Sequence, residues 1–223
     1  RFAGADLLHS QDPILALNEA LLVRSIDSLG TEGLTRLEGT AEEAAAIQSL
    51  PIDLPVTVFA GAAANRNTFL SQANDSQAVY HIATHGGVNR ADPWQSGLVR
   101  SAVDSEGVQV ERFLSANDIA ARRLDGALVV LSGCDTGTGR IVRGEGPLSL
   151  GNAFLGAGAS EVVSTLWRIS DAATVTLMQH FYEALLVDRV PTAEALAIAQ
   201  RKMRADPRFR SPYFWAPVIL HQR

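Results

Sequence analysis

"ALVVLSGCDTGTGR", residues 127–140, is the stretch on which the reading of this chain turns. Residues 127–131 are apolar without alternation, and the chain then passes through Ser132 and Gly133 to Cys134 and a glycine-rich run. A short unbroken apolar run closed by a turn signal predicts a strand buried on both faces. "AVYHIAT" (78–84) and "SEVVSTLW" (160–167) are less pure but also read as buried strands. Segments of helical composition stand between and after them: "SANDIAAR" (115–122) with Ser115 or Asn117 as cap, "GPLSLGNAFLGAGA" (146–159) and "TAEALAIAQRKM" (192–203). In "SDAATVTLMQHFYEALL" (170–186), Val175, Met178, Tyr182 and Leu185 recur at helical spacing behind a Ser170/Asp171 cap. Apolar strands alternating with helices predict an α/β fold, a mostly parallel sheet with helices on both faces.

Outward from this centre the signals weaken. "VTVFA" (56–60) and "YFWAPVIL" (213–220) read as strands, and "NRNTFLSQAN" (65–74) as a short helix. "SGLVRSAV" (96–103) and "VQVERF" (108–113) flank a hairpin turn at 104–107. "TAEEAAAIQSLP" (40–51) has the spacing of a capping box, Thr40 with Glu43 three residues on. "DPILALNEALLVRSI" (12–26) allows a helix with Leu15, Glu19, Leu22 and Ile26 on one face. Residues 1–39 are otherwise an unassigned extension or linker, and 40–223 is expected to form the functional domain.

The 223 residues suit one large α/β domain, and 47% hydrophobic content supplies a sizeable core. No apolar run approaches the ~18–20 residues of a membrane span, so no membrane partner is expected. A net charge of −5 gives no electrostatic case for nucleic acid. The basic cluster at 201–210 reads as a solvated helix end. A single cysteine excludes an internal disulfide framework and fits a reducing, cytoplasmic setting. The chain opens at Arg1 with no signal-like segment and is read as a domain cut from a longer protein.

In open parallel sheets ligands bind beyond the carboxyl ends of the strands. His85-Gly86-Gly87 follows the first buried strand and Cys134 follows the second. Strands lie about 4.8 Å apart, so side chains leaving neighbouring ends can meet. A thiol needs a basic neighbour to populate its thiolate, and histidine is the usual one. An N–H in the glycine pair suits a developing oxyanion. The histidine precedes the cysteine by 49 residues, close to the caspase-type separation of about 50.

The chain resembles the CHAT-domain peptidases, bacterial relatives of caspases and separases that often follow TPR repeats. The resemblance is carried by "YHIATHGG" (80–87), "SGLVRS" (96–101), "SANDIA" (115–120) and "LVVLSGCDTGTG" (128–139). It continues through "GEGPLSLGNAFLGAGASEVVSTLWRISDAAT" (144–174), "LMQHFYEALL" (177–186) and "YFWAPVIL" (213–220). It implies a caspase-like fold and a cysteine endopeptidase acting on a partner protein. His85 would be the general base and Cys134 the nucleophile, with the N–H groups of Gly86 and Cys134 as oxyanion hole. Where the family usually shows Ala-Cys-Glu-Thr-Gly, this chain has Gly133-Cys134-Asp135-Thr136-Gly137. The block 162–172 would line the cleft and pair with substrate backbone by strand addition. Trp167 would wall the pocket for the residue before the cut, and Asp135 or Asp171 would give it an acidic floor. An upstream TPR or other regulatory domain is the implied partner.

Plainer readings stand beside these. Trp167 also suits core packing, and Asp171 a helix N-cap. His81, four residues before His85, reads as a buried histidine satisfied by hydrogen bonds; no metal or other cofactor is implied, since a third ligand is missing. A catalytically latent binding or signalling module is the main alternative function. Cys134 to Arg140 has the Cys-x5-Arg spacing of a phosphatase loop, but lacks the usual flanking residues. The run 136–146 reads as an activation loop.

Overall fold

The computed structural model describes residues 2–3, 39–52, 54–73, 78–87, 97–99, 101, 103–111, 113–132, 140–142, 146–148 and 150–223. In chain order the first half runs β1 (Phe2–Ala3), α1 (Gly39–Gln48), α2 (Arg66–Gln72), β2 (Val79–Ala83), β3 (Gly86–Gly87), β4 (Gly97–Val99), β5 (Phe113–Ser115) and α3 (Ala116–Ala120). The second half runs β6 (Leu128–Leu131), β7 (Arg140–Val142), β8 (Gly146–Leu148), α4 (Leu150–Gly156), β9 (Glu161–Thr165), α5 (Asp171–Tyr182), α6 (Thr192–Ala205) and β10 (Val218–Gln222).

The three apolar runs form the middle of a five-stranded sheet ordered β1-β2-β6-β9-β10. β1, β2, β6 and β9 are parallel and β10 closes one edge antiparallel. Consecutive residues point to opposite faces, so each strand serves two cores. Tyr80, Ile82, Val129, Leu131 and Val162 pack with Phe69 of α2, Ile119 of α3 and Phe154 of α4. Leu128, Val130 and Val163 pack on the other face with Ile47 of α1, Leu177 and Phe181 of α5, and Ala199 and Met203 of α6. This is the α/β architecture with a mostly parallel sheet and helices on both faces, consistent with a caspase-like fold.

Local signals set the helix starts. Asn65 caps α2, accepting from Thr68 N at 2.9 Å. Ser115 and Asp118 form a reciprocal capping box on α3. Asp118 also accepts from Arg66, tying α2 to α3. Burial pushes the Asp118 carboxyl up, but the hydrogen bonds from Arg66 and Ser115 outweigh it and hold it below its ordinary value.

Several elements depart from the sequence expectation. Residues 56–60 form no named strand; Thr57 and Ala60 are exposed, whereas Phe59 is half-buried against the core and makes a single bridge. The helix expected over 146–159 shortens to α4, because Gly146–Leu148 pairs antiparallel with Arg140–Val142. The hairpin is present but extended: Val103 bridges Gln109 around a turn in which Gly107 has φ 78°, while β4 pairs with β5 further out. α1 already includes Gly39, so Thr40 lies inside the first turn instead of capping it. The helix expected over 12–26 lies outside the described residues.

Acid sensitivity follows from two half-buried histidines. Burial lowers the pKa of His221, whose Nε2 lies 3.0 Å from Ser164 Oγ, and burial followed by repulsion from Lys202 lowers that of His180. A histidine harder to protonate in the fold than in the unfolded chain stabilises the fold above its ordinary value of 6.5. That contribution is lost as the pH falls through the depressed folded value, because the unfolded chain then binds more protons. Melting temperature should therefore drop between pH 7.5 and 5.0, and His221→Gln should flatten the drop.

Candidate active site

β2 and β6 are parallel neighbours in a register that pairs Ile82 with Leu131, and Ser132 N donates to Ile82 O at 2.9 Å. His85 lies three residues beyond Ile82, and Cys134 three beyond Leu131. The 49-residue separation is thus the register offset of two adjacent strands. Cys134 and Asp135 themselves lie outside the described residues, as do all of 133–139.

After Ala83 the chain leaves the main sheet and joins a second one, ordered β3-β4-β5. The Thr84 hydroxyl donates to Val99 O, and Val99 N donates to His85 O at 3.0 Å. Gly86 then pairs with Leu98. Since N–H and C=O directions alternate along an antiparallel ladder, the Gly86 amide falls on the edge away from β4. His85 is half-buried, held by its backbone at this crossing point between sheets.

Beyond the ends of β6 and β9, a shallow open cleft lies between α1 and α5. Trp167 and Asp171 share it; His85 is not among its lining residues. Trp167 is 37% exposed and its Nε1 donates to Tyr213 O at 3.1 Å, so it forms a wall and not core. The Tyr213 hydroxyl returns a 2.7 Å bond to Arg168 O, bracing that wall. Asp171 is the first residue of α5, but the cap is Ser170, which accepts from Ala173 N. Asp171 Oδ2 instead accepts from Gly39 N at 3.0 Å, holding the start of α1 against α5.

β9 is paired on both sides over 161–163, by β6 and β10, and β10 alone continues along Ser164 and Thr165. Strand addition over the whole block 162–172 is therefore corrected: Val162 and Val163 are already paired on both sides, so an added strand could run only beside the later residues. Gly39 sets the cleft's width. A Cβ there would come within 2.5 Å of Asp171 Cβ, far inside contact distance. Gly39→Ala should push α1 off α5 and lower the melting temperature by several degrees, an effect readable by calorimetry.

Under the cleft lies a polar chain that composition did not reveal. Glu43 of α1 is 2% exposed, and the Ser132 hydroxyl donates to its carboxylate, 2.7 Å from Oε1 and 2.9 Å from Oε2. His81 Nε2 lies 3.3 Å from Glu43 Oε1, without hydrogen-bond geometry. His81 Nδ1 meets the Tyr182 hydroxyl at 2.9 Å. His81 is thus buried, as expected, but only its Nδ1 has a hydrogen-bond partner; the buried Nε2 has none. Glu43 had a sequence signal of its own: a carboxylate four residues from both Gly39 and Ile47, on the buried stripe of α1.

Among the described residues no three His, Cys, Asp or Glu gather as metal ligands, and no helix is long and apolar enough to cross a membrane. The phosphatase spacing requires a helix opening at its arginine, whereas Arg140 opens β7.

A mostly parallel sheet with helices on both faces is the architecture of a caspase-like class of domain. The CHAT domain family matches residues 6–222, and the chain belongs to that family. The chain is also similar to tetratricopeptide repeat protein 28 of Mus musculus, 34% identical over 110 residues, and to its Homo sapiens counterpart, 31% identical over 110 residues. Each match covers 49% of this chain and 4% of the relative, so the chain spans a small part of those proteins.

Proposed function

We propose that this CHAT domain is a cysteine endopeptidase acting on a partner protein. The observation that carries the reading is the β2–β6 register, in which the offset of 49 residues matches the spacing of His85 and Cys134. In this reading the Cys134 thiolate attacks the scissile carbonyl carbon, and the amides of Gly86 and Cys134 bind the oxyanion that forms. His85 takes the thiol proton and gives it to the departing amine. Water then hydrolyses the thioester, and the thiol is restored. The outward edge of Gly86 supports its part in the oxyanion hole.

Substrate would enter along the cleft, with Trp167 as wall and Asp135 or Asp171 supplying negative charge for an arginine or lysine before the cut. One Asp171 oxygen already accepts from Gly39, so its contribution there would be mainly its charge. We place the peptidase unit at 40–223, with the preceding residues as a link that also supplies β1.

The sole cysteine makes the test direct. Iodoacetamide at neutral pH should alkylate Cys134 quickly in the parent and slowly in His85→Ala, with fragmentation of a peptide library following the same order. Equal alkylation in both proteins would sink the dyad. The similarity to TPR proteins favours a second reading, a module kept latent by an upstream repeat domain. It predicts a thiol inert in one domain context and reactive in the other.

A further inference from the structure

We propose that Glu43 is a positioning residue for the candidate dyad, acting through Ser132 and His81; the inference rests on the peptidase reading above. One buried carboxylate on α1 contacts both strands that lead to the site. Through Ser132 it holds the end of β6, two residues before Cys134. Through His81 it touches β2, four residues before His85. Tyr182 of α5 fixes the far side of that histidine, so four elements meet at this chain of polar groups.

Packing alone does not account for a carboxylate in this position. Burying a carboxylate is costly unless its partners compensate, and apolar residues of similar size usually serve a core as well or better. Around it this face of the sheet is mostly apolar: Leu128, Val130 and Val163 pack with Ile47, Leu177 and Phe181. What the carboxylate adds is direction. Two oxygens span the Ser132 hydroxyl and the His81 ring, locking the two strand ends in register where the β2–β6 ladder runs out at Ser132 N and Ile82 O. A thiolate depends on the proximity of its cationic partner, so a loosened strand end raises the thiol pKa and slows its reaction.

The test is the pH profile of iodoacetamide alkylation of Cys134, run on folded parent, Glu43→Gln, Ser132→Ala, the double variant and His85→Ala, with peptide cleavage measured in parallel. Glu43→Gln and Ser132→Ala should each move the midpoint up by about one pH unit and lower the pH 7 rate about tenfold. The double variant should be no worse than either single one, since both remove one link. A lowered melting temperature with parent-like alkylation profiles and cleavage in both single variants means a purely structural carboxylate, and the positioning role is overturned. If Glu43→Gln does not fold, Ser132→Ala decides by the same criterion. A parent-like profile in His85→Ala overturns the dyad itself, whereas a shifted His85→Ala beside parent-like Glu43→Gln and Ser132→Ala overturns only the role of Glu43.

Discussion

Cys134→Ala is expected to abolish cleavage of any peptide the parent cuts, and His85→Ala to lower kcat/KM by about 10²–10⁴-fold. The two losses differ in kind. Alanine at 134 removes the atom that bonds to the substrate, and no neighbouring thiol can replace it because the chain has one cysteine. Alanine at 85 leaves the thiol but removes its proton acceptor, so the residual rate should rise with pH as hydroxide populates the thiolate. The double variant should resemble Cys134→Ala, because residues acting as a unit are not additive. Steady-state kinetics on a peptide taken from the library screen would measure all three. A His85→Ala enzyme with parental kcat/KM and an unchanged pH profile would contradict the assignment.

The second large effect concerns stability. Phe154 of α4 is fully buried and meets Phe69 of α2 edge-on, with ring centroids 6.3 Å apart. It lies where α2, α4 and the β2–β6–β9 face converge. Phe154→Ala leaves a cavity that this interlocked face cannot collapse to fill, at a cost of about 3–5 kcal/mol. Domains of this size have about 5–15 kcal/mol in total, so the variant should be strongly destabilised. Urea unfolding should show the midpoint fall with an unchanged slope, since the surface exposed on unfolding stays the same. A loss under 1 kcal/mol would mean that the α2–α4 face packs loosely.

Much of the architecture was legible because its signals are local. "AVYHIAT", "ALVVL" and "SEVVSTLW" are predominantly apolar on both faces, and a strand covered on both sides suits that composition. Ser115 and Ser170 stand where the structure starts helices, since a helix start needs side-chain acceptors within three residues. The errors have the opposite character. Residues 56–60 alternate like a strand, but among the described residues the structure gives them only a bridge at Phe59. "GPL" (146–148) precedes a helical run, yet pairing with Arg140–Val142 claims it as strand.

The candidate site divides the same way. The sequence by itself determined the residue types, their order and their separation of 49, because strand ends followed by His-Gly-Gly and by Ser-Gly-Cys can be read without coordinates. Only the tertiary structure decided that β2 and β6 are neighbours with this same offset, that Val162 and Val163 of β9 are paired on both sides, and that Asp171 holds Gly39. It alone turned Glu43 inward onto Ser132, 89 residues away. Periodicity and capping report on contacts within a few residues. A carboxylate's partner across the sheet is fixed by which helix packs on which strand ends, and no local pattern records that.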